Sequence, residues 1–239
     1  YTPLSPDPAT VCQRLATLYQ VRESAEPCIL LASAEAVLRR VLPPVTLSRH
    51  CELVISGEEI DREGLINALS GAGYQLCDMV RQVGDMALRG GIVDVFPPIL
   101  DGESAGPLRL DFFGDLVESI RLFDPISQRS RQSLQEAVLL PATELLFPEP
   151  GQRAAMLEHL QQVAEQQQWS AHATRFVRER LVTGQRFPGL EFFLPLLHGG
   201  RAGLCSLFDY LPESALLMLA DGPAINRKIA LVRDRILAN

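Results

Sequence analysis

The feature that most constrains this chain is a hairpin written out between residues 107 and 123. The run PLRLDFF is followed by the dipeptide Gly114-Asp115 and then by LVESIRLF. A two-residue loop with glycine first is what a type II′ turn requires, because that position needs a positive φ. The flanking runs are therefore predicted to be antiparallel neighbours. Strand periodicity assigns Leu108, Leu110 and Phe112 to one face and Arg109, Asp111 and Phe113 to the other. The first set is the natural core face. The second places an aromatic beside a charge of each sign, a composition found at interface centres, where Phe and Arg are enriched. Arg109 can fork to a partner carboxylate. The competing reading is that Phe113 only caps the hairpin edge beside Leu116. Register across the turn is open at this level, and so is the face taken by Glu118 and Arg121.

The hairpin sits in a β-rich stretch, residues 50–140. ELVIS (52–56) reads as a strand, and Asp61 can cap a helix carrying Leu65, Ile66 and Leu69, closed by Gly71 and Gly73. Further strands are predicted at about 85–89, 91–96 and 134–140, with Pro97, Pro98 and the stretch 101–106 forming a loop. Arg89-Gly90-Gly91 at a strand end suggests a bulge or a close backbone approach. It lacks the rest of a G-x-G-x-x-G phosphate loop.

The flanks read differently. In residues 1–49, Val11, Leu15, Leu18 and Tyr19 share a helix face. CILLA (28–32) reads as a buried parallel strand. Ser33 caps a helix carrying Val37, Leu38 and Val41, which Pro43 and Pro44 are expected to end. In residues 141–239, helices are predicted at about 151–168, 172–183 and 225–237. LEFFLPLL (190–197) is apolar and broken at Pro195, and ALLMLA (215–220) reads as a second buried strand. A strand–helix pair at each end implies one α/β layer interrupted by the β-rich segment.

Charge and composition exclude several functions. Formal net charge is −7, a poor surface for a phosphate backbone. The local arginine clusters, at 129 and 131 and at 175, 178 and 180, read as solvated faces. Lys228 is the only lysine and lies in INRKIAL, so no Gly-Lys-Ser/Thr phosphate loop can form. The five cysteines contain no C-x-x-C, which removes a zinc ribbon or dithiol motif, and they suit reduced, buried thiols. Nothing in the histidine spacing argues for a metal. The start YTPLSPDP is no signal peptide, and no apolar run approaches the roughly 18 residues of a membrane span. The chain opens without Met in a Pro-rich stretch and is expected to be an internal fragment. Asp94, Asp111, Asp115, Glu118 and Asp124 are dense enough for acid–base chemistry, but no nucleophile accompanies them. Solvation and turn roles are the plainer reading.

RGGIVDVFP, followed by RLDFFGD, VESIR and FDPISQRS, resembles the transcription-repair coupling factor (Mfd) family. It is more distantly similar to the excision-repair helicase UvrB. The resemblance extends through SPDPATVCQRLATLYQ, GLINALSGAGYQLCDMV, LLPATE and, more loosely, FDYLPESALLML. It implies a mixed α/β and α+β fold: a partial, degenerate nucleotide-binding-type (UvrB-like) α/β domain, residues 1–49 and 141–239, interrupted by a β-rich UvrA-binding domain, residues 50–140. It implies that the first strand and helix of the α/β domain precede Tyr1. Partner contacts carry over to Arg89, Arg109 and Phe113, with Asp111 and Arg121 as further candidates.

By the same resemblance the fragment is non-catalytic and holds no cofactor or metal. The parent would be a cytoplasmic ATP-dependent DNA translocase using ATP and Mg, with RNA polymerase and double-stranded DNA as partners. Its motor would lie beyond Asn239, and a C-terminal domain could mask the UvrA-binding face. The loop 97–106 looks longer than the family pattern. A UvrB-type damage-binding subunit and a carboxylate-dependent hydrolase are the alternatives.

Overall fold

The computed structural model describes residues 6–98, 106–148 and 150–237. The loop expected at 97–106 therefore lies mostly outside the described residues.

The β-rich segment builds one six-stranded sheet. Its strands are β2 (Gln75–Leu76), β3 (Asp85–Arg89), β4 (Ile92–Val95), β5 (Leu108–Phe113), β6 (Leu116–Phe123) and β7 (Ser130–Leu134), in spatial order 2-3-4-5-6-7. All neighbours are antiparallel except the short β2–β3 pair. Phe113 pairs Leu116 across Gly114-Asp115, and Gly114 has φ +63, so the turn is the one its glycine predicts. One sheet face carries Val93, Val95, Leu108, Leu110, Phe112, Val117, Ile120 and Leu122 into a core with Leu65, Leu69 and Tyr74. Leu65 and Leu69 come from α4 (Arg62–Gly71), whose cap forms as expected: Asp61 accepts the Gly64 N–H at 2.9 Å. The helix persists through Gly71, with Gly73 in the left-handed turn after it.

Register decides the facing that the turn alone leaves open. Asp111 pairs Ser119 while Phe112 pairs Val117, so Glu118 is the extra residue of a β-bulge. The bulge keeps Val117 and Ile120 on the same core face although they are three residues apart. Arg109 stands opposite Arg121, which places Arg121 on the charged face.

The ends of this segment are clasped. β1 (Glu52–Ile55) pairs antiparallel with β8 (Glu136–Leu139), bringing Glu52 opposite Leu139. The strand expected at 134–140 is thus present but belongs to this separate two-stranded sheet. The polar strand β7 was not expected. Its residues are mostly exposed, and an edge strand solvated on both faces carries no apolar alternation to reveal it.

The flanking segments share a second core. Leu15 and Leu18 of α1 (Pro8–Glu23) pack with Val41, Leu42, Leu47, Leu146, Leu194, Leu204 and Tyr210. Glu144 is buried and accepts two hydrogen bonds from Arg14, from Nε and Nη2, each 2.7 Å. Tyr210 donates to the Leu42 carbonyl at 2.7 Å. A third cluster joins α5 (Pro150–Gln166), α6 (Ala171–Thr183) and α7 (Leu194–Leu197) through Leu160, Leu181, Leu196 and Leu197.

Several expectations for the flanks are corrected. CILLA and ALLMLA form no strand. Ile29 is 91% exposed and Leu216 95% exposed. A buried parallel strand needs neighbours on its hydrogen-bonding edges, and among the described residues neither run has one. Continuous apolarity reports an affinity for burial, not the partner that would supply it. The helices that follow each run do form: Ser33 caps α2 (Ala34–Leu38), and α8 spans Gly222–Leu237. They pack on each other, with Lys228 Nζ 3.1 Å from Glu35. The helix at 34 stops at Leu38, and Val41 instead bridges to Cys205. Pro43 and Pro44 do not end a helix; they start α3 (Pro44–Arg49), where a missing N–H costs nothing. Pro195 likewise sits in the first turn of α7, after a 3₁₀ turn over Leu190–Phe193.

Candidate protein-docking site

The charged face of the sheet is partly roofed. Val80, from the loop between β2 and β3, packs with Ala87 and Phe123 as a small fourth cluster, flanked by Cys77 and Phe96. Beneath this roof Asp94 is fully buried. It faces Arg109 across the β4–β5 register and accepts from Nε at 2.7 Å and from Nη2 at 2.8 Å. The guanidinium also lies 4.8 Å from the Phe123 ring centroid, a cation–π stack. Its fork is therefore filled from within. The hydrogen bond to Asp94 raises the pKa of Arg109 above its usual value.

The next rung is polar in the same way. Asp111 accepts from Ser119 Oγ at 2.6 Å and is paired with Arg121. Asp94, Arg109, Asp111 and Arg121 form a ladder of alternating charge running across β4, β5 and β6. Asp124 orders the following turn. Hydrogen bonds from Ser127 above all, with Arg131 nearby, hold its carboxyl below the usual range.

The face opens at one end, where two hairpin tips lie side by side. The first is Gly90-Gly91 between β3 and β4; Arg89 pairs Ile92 around it. Gly91 is where a close approach was expected: a Cβ there would stand 2.5 Å from the Phe112 carbonyl oxygen. The second tip is Gly114-Asp115. Arg62 braces both: its Nη2 donates to the Gly90 carbonyl at 2.7 Å, and its backbone N–H donates to Asp115 Oδ1 at 3.1 Å. The same guanidinium stands 5.9 Å from the Phe112 ring centroid. At this braced end Phe113 is 76% exposed. Arg89 is exposed too, with Nη2 donating to the Asp78 carbonyl at 3.1 Å.

The residues singled out from sequence are thus on one face but in two settings. Arg89 and Phe113 are exposed at the open end. Arg109, Asp111 and Arg121 belong to the internal ladder, with Arg121 the most accessible of the three. Among the carboxylates, turn roles hold for Asp115 and Asp124, whereas Asp94 is not solvated. Its place between Val93 and Val95 in an apolar strand was a usable signal of a buried, paired charge. Arg62 and Val80 were missed, because their roles depend on which loops the tertiary fold brings together.

The arrangement is an exposed aromatic beside an exposed arginine, on two hairpin tips held together by Arg62. Residues 54–145 match the family described as the UvrB interaction domain. The relatives of the whole chain are transcription-repair-coupling factors. The protein of that name from Myxococcus xanthus is 35% identical over 225 residues, covering 92% of this chain and 18% of the relative. Those of Escherichia coli and Haemophilus influenzae are 31% and 30% identical, each over 91% of this chain and 18% of the relative. The chain therefore spans about a fifth of the length of these relatives, and the likeness includes both flanks as well as the β-rich segment.

Proposed function

We propose that this chain is the UvrA-docking portion of a transcription-repair coupling factor, and that it acts by binding rather than by catalysis. The observation that carries this reading is Phe113: a large aromatic, 76% exposed, on a braced hairpin tip with Arg89 nearby, inside a UvrB interaction domain. Phe113 fills an apolar contact on UvrA, and Arg89 and Arg109 face its acidic groups. Because Asp94 occupies the Arg109 fork, Arg109 contributes through its outer edge and by fixing β5. Asp111 and Arg121 form the flank of the same surface.

Residues 50–140 act as the binding unit, held by the β1–β8 clasp, and residues 1–49 and 141–239 as the mainly helical flanks that carry it. In the whole protein this unit brings UvrA to stalled RNA polymerase, while a separate motor uses ATP and Mg to translocate on double-stranded DNA in the cytoplasm. A C-terminal domain of the same protein masks the docking face in the resting state.

The hydrolase reading draws no support from Asp94, Asp111, Asp115 and Asp124, which are bonded to Arg109, Arg121, Arg62 and Arg131, or from Glu118, which is exposed on the bulge. The test is direct binding of purified UvrA to the chain and to Arg89→Ala, Arg109→Ala and Phe113→Ala. Binding by the parent chain and its loss in the variants is expected. No binding by the parent chain overturns the reading.

A further inference from the structure

A second site of a different kind lies between α3, α5 and the turn after α7, and shares no residue with the docking surface. A cavity of about 530 Å³ is lined there by Arg49, His50, His159 and His198 over an apolar floor that includes Leu146 and Met156. Three of the chain's four histidines meet in it, in a chain whose net charge is −7. No carboxylate is among its described lining residues. Glu144 turns its backbone carbonyl to His198 while its carboxylate is paired with Arg14 and Arg39, and Glu52 lies near enough to His50 to feel its charge.

The hydrogen-bonding state of these rings points the same way. His50 Nδ1 lies 2.8 Å from the Thr46 carbonyl and His198 Nε2 lies 3.3 Å from the Glu144 carbonyl. A carbonyl only accepts, so those nitrogens carry the protons and the second nitrogen of each ring is left as an acceptor in the neutral form. Arg49 and His159 make no side-chain hydrogen bond or ion pair with the described residues. Burial pushes the pKa of His198 down, with the neighbouring His50 adding to the effect. An oxyanion beside His198 would offset that penalty by favouring its charged form.

The cavity also has a neighbour. A second hollow of about 320 Å³ shares His159 and Leu196 with it and is lined by Trp169, Phe192 and Phe193. His159 stands in the shared wall against Gly200, where a Cβ would lie 3.1 Å from its Cε1. We propose that the two hollows form one binding site for an aromatic phosphate. The phosphate would sit among Arg49, His50, His159 and His198, and the ring against Trp169 and Phe192.

The test uses the intact chain and three probes: phenyl phosphate, inorganic phosphate and phenol, titrated by calorimetry and by the histidine ring resonances at about pH 6.5, where a histidine is poised to titrate. Phenyl phosphate is expected to bind roughly tenfold more tightly than either fragment, and Arg49→Ala to weaken it by about tenfold, as for loss of a charge-assisted hydrogen bond. The resonances of His50, His159 and His198 should move, while that of His172, outside the cavity, stays still. Absence of saturable phenyl phosphate binding overturns the site. So does binding that moves His172 alone, or that Arg49→Ala and His159→Ala both leave unchanged. Equal binding of inorganic phosphate overturns the aromatic half of the assignment. Should Arg49→Ala fail to fold by circular dichroism, Arg49→Gln and the resonances of the unaltered chain distinguish the same outcomes.

Discussion

Arg109 and Asp94 are joined across β4 and β5 by two hydrogen bonds of 2.7 and 2.8 Å, and Asp94 is fully buried. The arginine that sequence alternation offers to a partner is thus the internal strut of the docking surface. Removing one member of a buried pair strands the other charge. Asp94→Ala is expected to cost about 3 kcal/mol of stability, read by urea unfolding. Arg109→Ala should cost a similar amount, so its binding defect must be judged at a temperature where the variant is folded. Unchanged unfolding midpoints for both would show that the fork contributes nothing.

Phe113 should behave in the opposite way. An exposed side chain contributes little to folding, so Phe113→Ala is expected to change stability by less than about 0.5 kcal/mol. As an interface anchor its loss should weaken UvrA binding by about 2 kcal/mol or more. Surface plasmon resonance beside thermal unfolding separates the two quantities. A variant that unfolds early and binds normally would restore the reading in which Phe113 merely caps the hairpin.

Arg62 is the test of preorganisation. Its bond to the Gly90 carbonyl and its contact with Asp115 hold two hairpin tips together. Arg62→Ala is expected to cost about 1–2 kcal/mol, near the range for a hydrogen bond to a charged group. Amide exchange should report where the loss falls. The N–H of Phe112, bonded to Gly91, should exchange faster, while that of Ile60, bonded to Asp115, and the Leu110 amide in the sheet centre should not, because the Arg62 backbone N–H keeps its bond to Asp115. Uniform acceleration would mean that Arg62 supports the whole domain rather than its tips.

The flanks depend on Glu144. It is buried and takes both Arg14 bonds, while Arg39 approaches the same carboxylate at 3.5 Å. Glu144→Gln is expected to destabilise the chain by about 2–3 kcal/mol, less than a fully buried pair because Arg14 is partly exposed. Melting of the helices followed by far-ultraviolet circular dichroism checks it.

Thiols supply the pH dependence. Burial raises Cys12 from 9.0 to about 11 and Cys51 to about 12, and Cys205 is raised to about 11. A group whose pKa is raised on folding holds its proton in the folded chain where the unfolded chain has lost it. Its stabilising effect is complete below about pH 9 and is lost as pH rises toward 11–12. Unfolding midpoints should therefore fall steadily across that alkaline window. At pH 8 the exposed Cys28 should be alkylated first, with Cys12 protected until the chain unfolds. Prompt labelling of Cys12 in the native chain would contradict its burial.

What could be read from the sequence, and what could not, divides along physical lines. Local rules determined the Gly114-Asp115 turn, the Asp61 and Ser33 caps, and the alternation that buries Leu108, Leu110 and Phe112. Each depends on residues within a few positions of one another, so neighbouring chemistry suffices. The arrangement of Asp111, Glu118 and Arg121 waited for the register, because one bulged residue changes every facing pair beyond it. Tertiary structure alone decided that Val80 would roof the charged face, that Arg62 would brace two tips, and that three histidines distant in sequence would share a cavity. It also decided that CILLA and ALLMLA would lie exposed. An apolar run carries its own tendency to be buried, but the surface that buries it comes from elsewhere in space, and no local pattern encodes that surface.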